Sequence, residues 1–158
     1  MSELVTDENK LSDSEKLDFL YEWAVWGHLS SKKDLESILL KGHLMLETAL
    51  ERMLSRNNIA SNENDSFFRK LILLEKKITT NNNNSDFIIY SLKKVNLMRN
   101  KVAHEVNYTE LHNDIENWSK DIMENLKGEK FSKFTYRTKI VHSFSILTIN
   151  LLRIKNYR

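Results

Sequence analysis

The stretch LESILLKGHLMLETALERML, residues 35–54, decides the fold class. Its apolar positions are Leu35, Ile38, Leu39, Leu46, Ala49, Leu50, Met53 and Leu54. They return at steps of three and four, the period of a helix with one buried face. Ser30 and Ser31 are expected to start this helix, and the polar residues 55–58 to end it. Gly42 lies inside it. An interior glycine costs about 1 kcal/mol against alanine. Its presence here points to close packing against a neighbouring helix or side chain.

The same period extends outward. Upstream, Leu17, Leu20, Tyr21, Ala24 and Val25 follow the capping types Ser12 and Asp13, predicting a helix that ends near Gly27. Residues 1–11 are expected to be a disordered leader. Downstream, residues 57–66 read as a loop and 67–78 as a helix. Residues 79–85, with four consecutive asparagines, read as the clearest loop in the chain. Asp86 is expected to cap a helix carrying Ile89, Leu92, Val95 and Val102, which breaks at residues 107–109. Leu111, Ile115, Trp118, Ile122 and Leu126 form the next stripe, stopped by Gly128. The last helix is expected from about Ser132 to about Lys155, with Ile140, Phe144, Leu147, Leu151 and Ile154 inward. About five to six one-sided helices must bury their faces against each other, so the expected fold is an all-α antiparallel helical bundle. One domain spans 12–158.

Composition agrees. The 158 residues include no proline and three glycines, where average usage would give roughly eight and about eleven. Turn-rich β folds and glycine-loop nucleotide folds need both residues. The lack of cysteine removes disulfides, thiolate metal sites and thiol nucleophiles. The acidic start is no signal peptide. The apolar run 140–154 is interrupted by His142, Ser143, Ser145 and Asn150, too polar and short for a membrane span. A cytoplasmic protein without membrane contact is expected.

Charge is placed unevenly. Residues 1–36 hold nine acids and four bases, a net of −5, while residues 127–158 hold eight bases and one acid, a net of +7. The basic end, with Lys133, Arg137 and Lys139, suits an anionic partner such as nucleic acid. Equally, the two ends suit each other, within the fold or across a dimer.

The five histidines form no HxxxH or HExxH pair, and no GxSxG, P-loop or GxGxxG occurs. No metal or other cofactor is expected. The segment LMRNKVAHE, residues 97–105, is different. It closes an apolar pattern and precedes a break, so it sets an arginine, an asparagine and a histidine at a helix end. Asn100 and His104 are four apart and share a face. Arg99 and His104 are five apart, about 140° around an ideal helix. They converge only where the arginine side chain reaches round or the helix unwinds near Ala103. These types suit phosphodiester chemistry. Arginine is a permanent cation with a planar donor fork for phosphate oxygens. Histidine exchanges a proton near neutral pH. RNA brings its own nucleophile, the 2′-hydroxyl.

Arg99-Asn100-Lys101-Val102-Ala103-His104 resembles the R-x4–6-H motif of the HEPN superfamily, in which Asn after the Arg and Ala before the His are frequent. Residues 41–47 and 49–51 are similar to the long second helix of several HEPN groups, the mannitol-operon repressor-like group among them. The resemblance covers roughly residues 35–118. It implies a helical bundle that dimerises, with two Arg/His pairs forming one metal-independent endoribonuclease centre at the interface. On that basis Arg99 and His104 are catalytic, Asn100 assists, Glu47 and His43 support them, and Lys101 joins Lys133, Arg137 and Lys139 in binding RNA. A toxin or defence role with a protein antitoxin or regulator as partner follows from the same likeness. The alternative is a non-catalytic HEPN-like dimer serving as a regulator, an antitoxin-like partner or an RNA-binding module. The H-x-Y form found in some HEPN toxins is absent, since Val106 holds the tyrosine place and Tyr108 stands two residues later. A second R-x4-H, Arg137 to His142, lacks the Asn and the Ala and reads as ordinary helix surface and core edge.

Overall fold

The computed structural model describes residues 34–78, 83–126 and 136–154. The expected leader, the expected helix at 12–27, Gly128 and Lys133 lie outside these residues. Five helices are described: α1 (Leu35–Arg56), α2 (Phe67–Lys77), α3 (Asn83–His104), α4 (Leu111–Asn125) and α5 (Tyr136–Leu152). The described residues form an all-α bundle with no strand.

Helix ends follow local chemistry. Asp34 caps α1: its carboxylate accepts from the Ser37 amide at 2.8 Å and from the Ser37 hydroxyl at 2.8 Å. The cap is therefore Asp34 rather than Ser30 or Ser31. At the other end Asn58 takes φ of 54°, the left-handed conformation that asparagine tolerates, and the Ile59 amide returns to the Leu54 carbonyl at 2.9 Å. Ser66 caps α2 through the Arg69 amide at 3.1 Å. α3 starts earlier than expected. Asn83, Asn84 and Ser85 are already helical, and Asp86 lies in the first turn, where its charge complements the helix dipole.

The predicted seams are buried. Ile38, Leu39, Leu46, Ala49, Leu50, Met53 and Leu54 of α1, and the whole α4 stripe with Leu126, lie in one core. Trp118 is buried there, its indole N–H donating to the Ser91 carbonyl at 3.1 Å. α1 packs on α2, α3 and α5, and α5 also packs on α3 and α4.

α1 and α2 advance in the same direction. Phe67 stacks on His43 (centroids 4.3 Å apart), and Lys70 reaches Glu47 at 3.2 Å and Glu51 at 2.6 Å. α1 and α5 do likewise, with Phe144 against Gly42 and the Leu152 carbonyl accepting from Arg56 at 3.2 Å. These two pairs depart from purely antiparallel packing. The connection from 57 to 66 makes the first possible: about ten extended residues span roughly 33 Å, as far as a helix of about 22 residues is long.

α5 departs from its expected single inward face. Residues 140–149 are all buried, including His142, Ser143, Ser145 and Thr148. A helix enclosed on every side lies in the middle of a bundle. Its hydroxyls are satisfied locally: Thr148 bonds the Phe144 carbonyl at 2.7 Å, and Ser143 meets Ser119 at 2.6 Å and the Lys139 carbonyl at 2.8 Å.

Lys70 is buried on α2. Desolvation works to lower its pKa, but the bonds to Glu51 and Glu47 outweigh it, and the net shift is upward. Lys70→Ala leaves two carboxylates facing each other across a hole. The expected loss is about 2–3 kcal/mol, below the range for fully buried pairs because both carboxylates keep some water. Lys70→Met, which fills the space, is expected to lose less. Equal urea midpoints for wild type and Lys70→Ala would refute this.

Candidate functional site around the end of α3

Arg99, Asn100, Lys101 and His104 lie on the last turns of α3, which stays helical through His104. No unwinding at Ala103 brings Arg99 to His104. Arg99 lies on the side of α3 shared with Val95 and Leu92, both buried, and is itself half-buried. Its Nη1 turns round to donate to the Asn100 amide oxygen at 3.3 Å. Asn100 and His104 are exposed and one turn apart on one face. Asn100 thus draws the guanidinium of a residue rooted beside the core toward the face that exposes the imidazole.

Below this face lies His43 of α1. It is 6% exposed, and its Nε2 bonds the Asn96 amide oxygen at 3.0 Å. An amide oxygen only accepts, so the ring carries its proton on Nε2. Burial holds the His43 pKa below 6.5; the Asn96 bond opposes this, Arg99 lowers it further, and Glu47 raises it. The neutral ring therefore fixes α1 to α3 beside Arg99. Glu47, half-buried, is engaged by Lys70 rather than by Arg99.

A pH consequence follows from the sign. The folded ring takes a proton less readily than the unfolded one, whose ordinary pKa is 6.5. This contribution to stability is complete above about pH 6.5 and is lost as pH falls through the depressed folded value. The thermal stability of wild type is expected to fall as pH drops below about 6.5, and His43→Gln to remove that component. Parallel profiles for the two proteins would refute the assignment.

Beyond His104 the chain turns through Val106, which is fully exposed at 99%. Tyr108 follows, half-buried, donating its hydroxyl to Asp114. Burial, then the Asp114 bond and the charges of Asp114, Glu105 and Glu110, push the phenol well above its usual range. It stays a hydrogen-bond donor. The Lys101 ammonium lies 5.4 Å from the Tyr108 ring centre.

Of the C-terminal bases expected to bind RNA, Arg137 and Lys139 lie among the described residues. Arg137 is half-buried and Lys139 exposed, and from 140 to 149 α5 has no solvent face. His142 of the second R-x4-H is 6% exposed, in agreement with core edge.

Two residues that sequence reasoning passed over matter here. Asn96 interrupts an apolar run one turn before Arg99 and Asn100, and Lys70 interrupts the seam of Phe67, Leu71 and Leu74. A polar residue on a buried stripe needs a partner, and that was the available signal. Among the described residues no group of three or more His, Asp or Glu is placed to hold a metal ion. No described helix is long and apolar enough to cross a membrane. Comparison with known proteins returns no matching family model, no matching curated protein and no matching solved structure.

Proposed function

We propose that this chain is a metal-independent endoribonuclease of the HEPN kind, acting as a homodimer that cuts RNA by transesterification. The observation that carries the reading is the bond from Arg99 to Asn100 on the helix face that exposes His104. His104 takes the proton of the 2′-hydroxyl. The freed oxygen attacks the adjacent phosphorus, and the Arg99 guanidinium balances the charge gathering on the phosphorane oxygens. Asn100 holds the guanidinium toward the His104 face. The 5′-oxygen leaves with the proton that His104 took up, giving a 2′,3′-cyclic phosphate and a 5′-hydroxyl.

Each protomer supplies one Arg99/His104 couple, and a second copy brings the other to the same phosphate. Leu40 and Leu44, one turn apart on α1 and 43% and 52% exposed, offer apolar contact for that copy. A cytoplasmic toxin or defence effector restrained by a protein antitoxin fits this activity. The test is incubation of total RNA with excess EDTA, followed by analysis of product ends. Cyclic phosphate ends from wild type and none from His104→Ala support the nuclease. Intact RNA with both proteins supports instead the non-catalytic HEPN-like dimer, a regulator or RNA-binding module.

A further inference from the structure

We propose that the solvent stripe of α3 is a binding track for single-stranded RNA, leading along the helix to His104. This inference rests on the ribonuclease reading and deepens it. At 100° per residue, Tyr90, Lys94, Leu97, Lys101 and His104 fall within about 80° of arc and along about 21 Å of axis. None of the five is buried, and Tyr90 and Leu97 are 49% and 56% exposed.

Along α3 itself the stripe carries one sign of charge. From Phe87 to His104 there is no Asp or Glu, while Lys93, Lys94, Arg99 and Lys101 are present. Lys93 is neutralised by Glu75 at 3.1 Å. Lys94 and Lys101 each lie instead over an aromatic ring, at 4.8 Å from the Tyr90 centre and 5.4 Å from the Tyr108 centre. A ring face draws a cation without cancelling its charge, which leaves the Lys94 ammonium available to phosphates. Lys101 keeps its charge too, beside a Tyr108 ring whose hydroxyl is held by Asp114 with Glu105 and Glu110 nearby.

The alternation is what an unpaired strand needs. Phosphates meet Lys94 and Lys101, and bases rest on the ring of Tyr90 and the side chain of Leu97. Duplexes hide their base faces, so such a surface favours single strands. Charge complementarity alone fits an acidic peptide too. The exposed ring and leucine that alternate with the cations argue for stacked bases.

The test is fluorescence anisotropy with a labelled 2′-O-methyl oligouridylate, which the protein has no means to cleave. Wild type is expected to bind, more weakly as salt rises. Lys94→Gln and Lys101→Gln are each expected to weaken binding about 3- to 10-fold and to lower the log–log salt slope by about 0.7. Tyr90→Ala is expected to lose about 5- to 50-fold, with Tyr90→Phe near wild type. Lys120→Gln, exposed on α4, serves as the control and is expected to change nothing. The track is overturned by absence of wild-type binding, by variants that bind like wild type, by equal affinity for a duplex, or by displacement with polyglutamate at equal charge. The two proposals fail separately. Cleavage by wild type with unaltered binding in the variants overturns the track alone. Binding through these residues by a protein whose His104→Ala variant cleaves as wild type overturns the nuclease alone.

Discussion

His104→Ala is expected to lower RNA cleavage by about 10²- to 10⁴-fold, the contribution typical of a positioned general acid or base. His104 is exposed at the last position of α3, so its removal leaves no cavity and the fold is expected to survive. Arg99→Ala is expected to cost about 10²- to 10³-fold through lost charge stabilisation. Arg99→Lys restores the charge but not the planar fork, and is expected to recover only part of the rate. Asn100→Ala separates steering from chemistry. It leaves the guanidinium present but loses the 3.3 Å bond that turns it toward the His104 face. Its loss is expected to be smaller than that of Arg99→Ala and to be largest in the chemical step under saturating RNA. Undiminished cleavage by His104→Ala, with unchanged thermal unfolding, would remove the nuclease reading.

The second large effect concerns packing. A Cβ on Gly42 would stand 2.6, 2.7 and 2.8 Å from three ring carbons of Phe144. That ring is fully buried, with Trp118 at a centroid distance of 4.6 Å on another side. It has little freedom to retreat. Gly42→Ala gains about 1 kcal/mol of helix propensity, against an overpacking cost of about 1–3 kcal/mol that direct contact with an immobile ring puts at the upper end. The expected net loss is about 1–2 kcal/mol, a fall in Tm on the order of 2–8 °C. Gly42→Val adds two further carbons and is expected to prevent stable folding. Phe144→Leu vacates ring atoms at the contact, so Gly42→Ala combined with Phe144→Leu is expected to lose less than the two single losses added. A Gly42→Ala protein as stable as wild type would show that α1 and α5 have room to part.

Both predictions draw on features legible in the sequence to different degrees. Gly42 announced a close approach, because nothing else justifies glycine amid good helix formers. Phe144 as its neighbour was not legible, since a local period carries no information on the partner. The motif at 99–104 was legible as a set of residue types at a helix end. The path by which Arg99 reaches the other face was not, because Asn100 decides it through one side-chain bond. The run of asparagines misled in one respect. Asn83 and Asn84 are poor helix interior residues but sit at the helix start, where their cost is small.

By itself the chain specified helices and their apolar seams. The stripe from Leu111 to Leu126 and the face from Ile38 to Leu54 are set by residue spacing, a local property that each helix carries wherever it packs. Tertiary structure alone decided that α5 lies enclosed rather than on a surface, that Glu47 belongs to Lys70, and that His43 fastens α1 to α3 through Asn96. The reason is that periodicity gives the direction of a face but not what stands opposite. Which buried polar group finds which partner depends on loops that return the chain, and those contacts exist only once the helices meet.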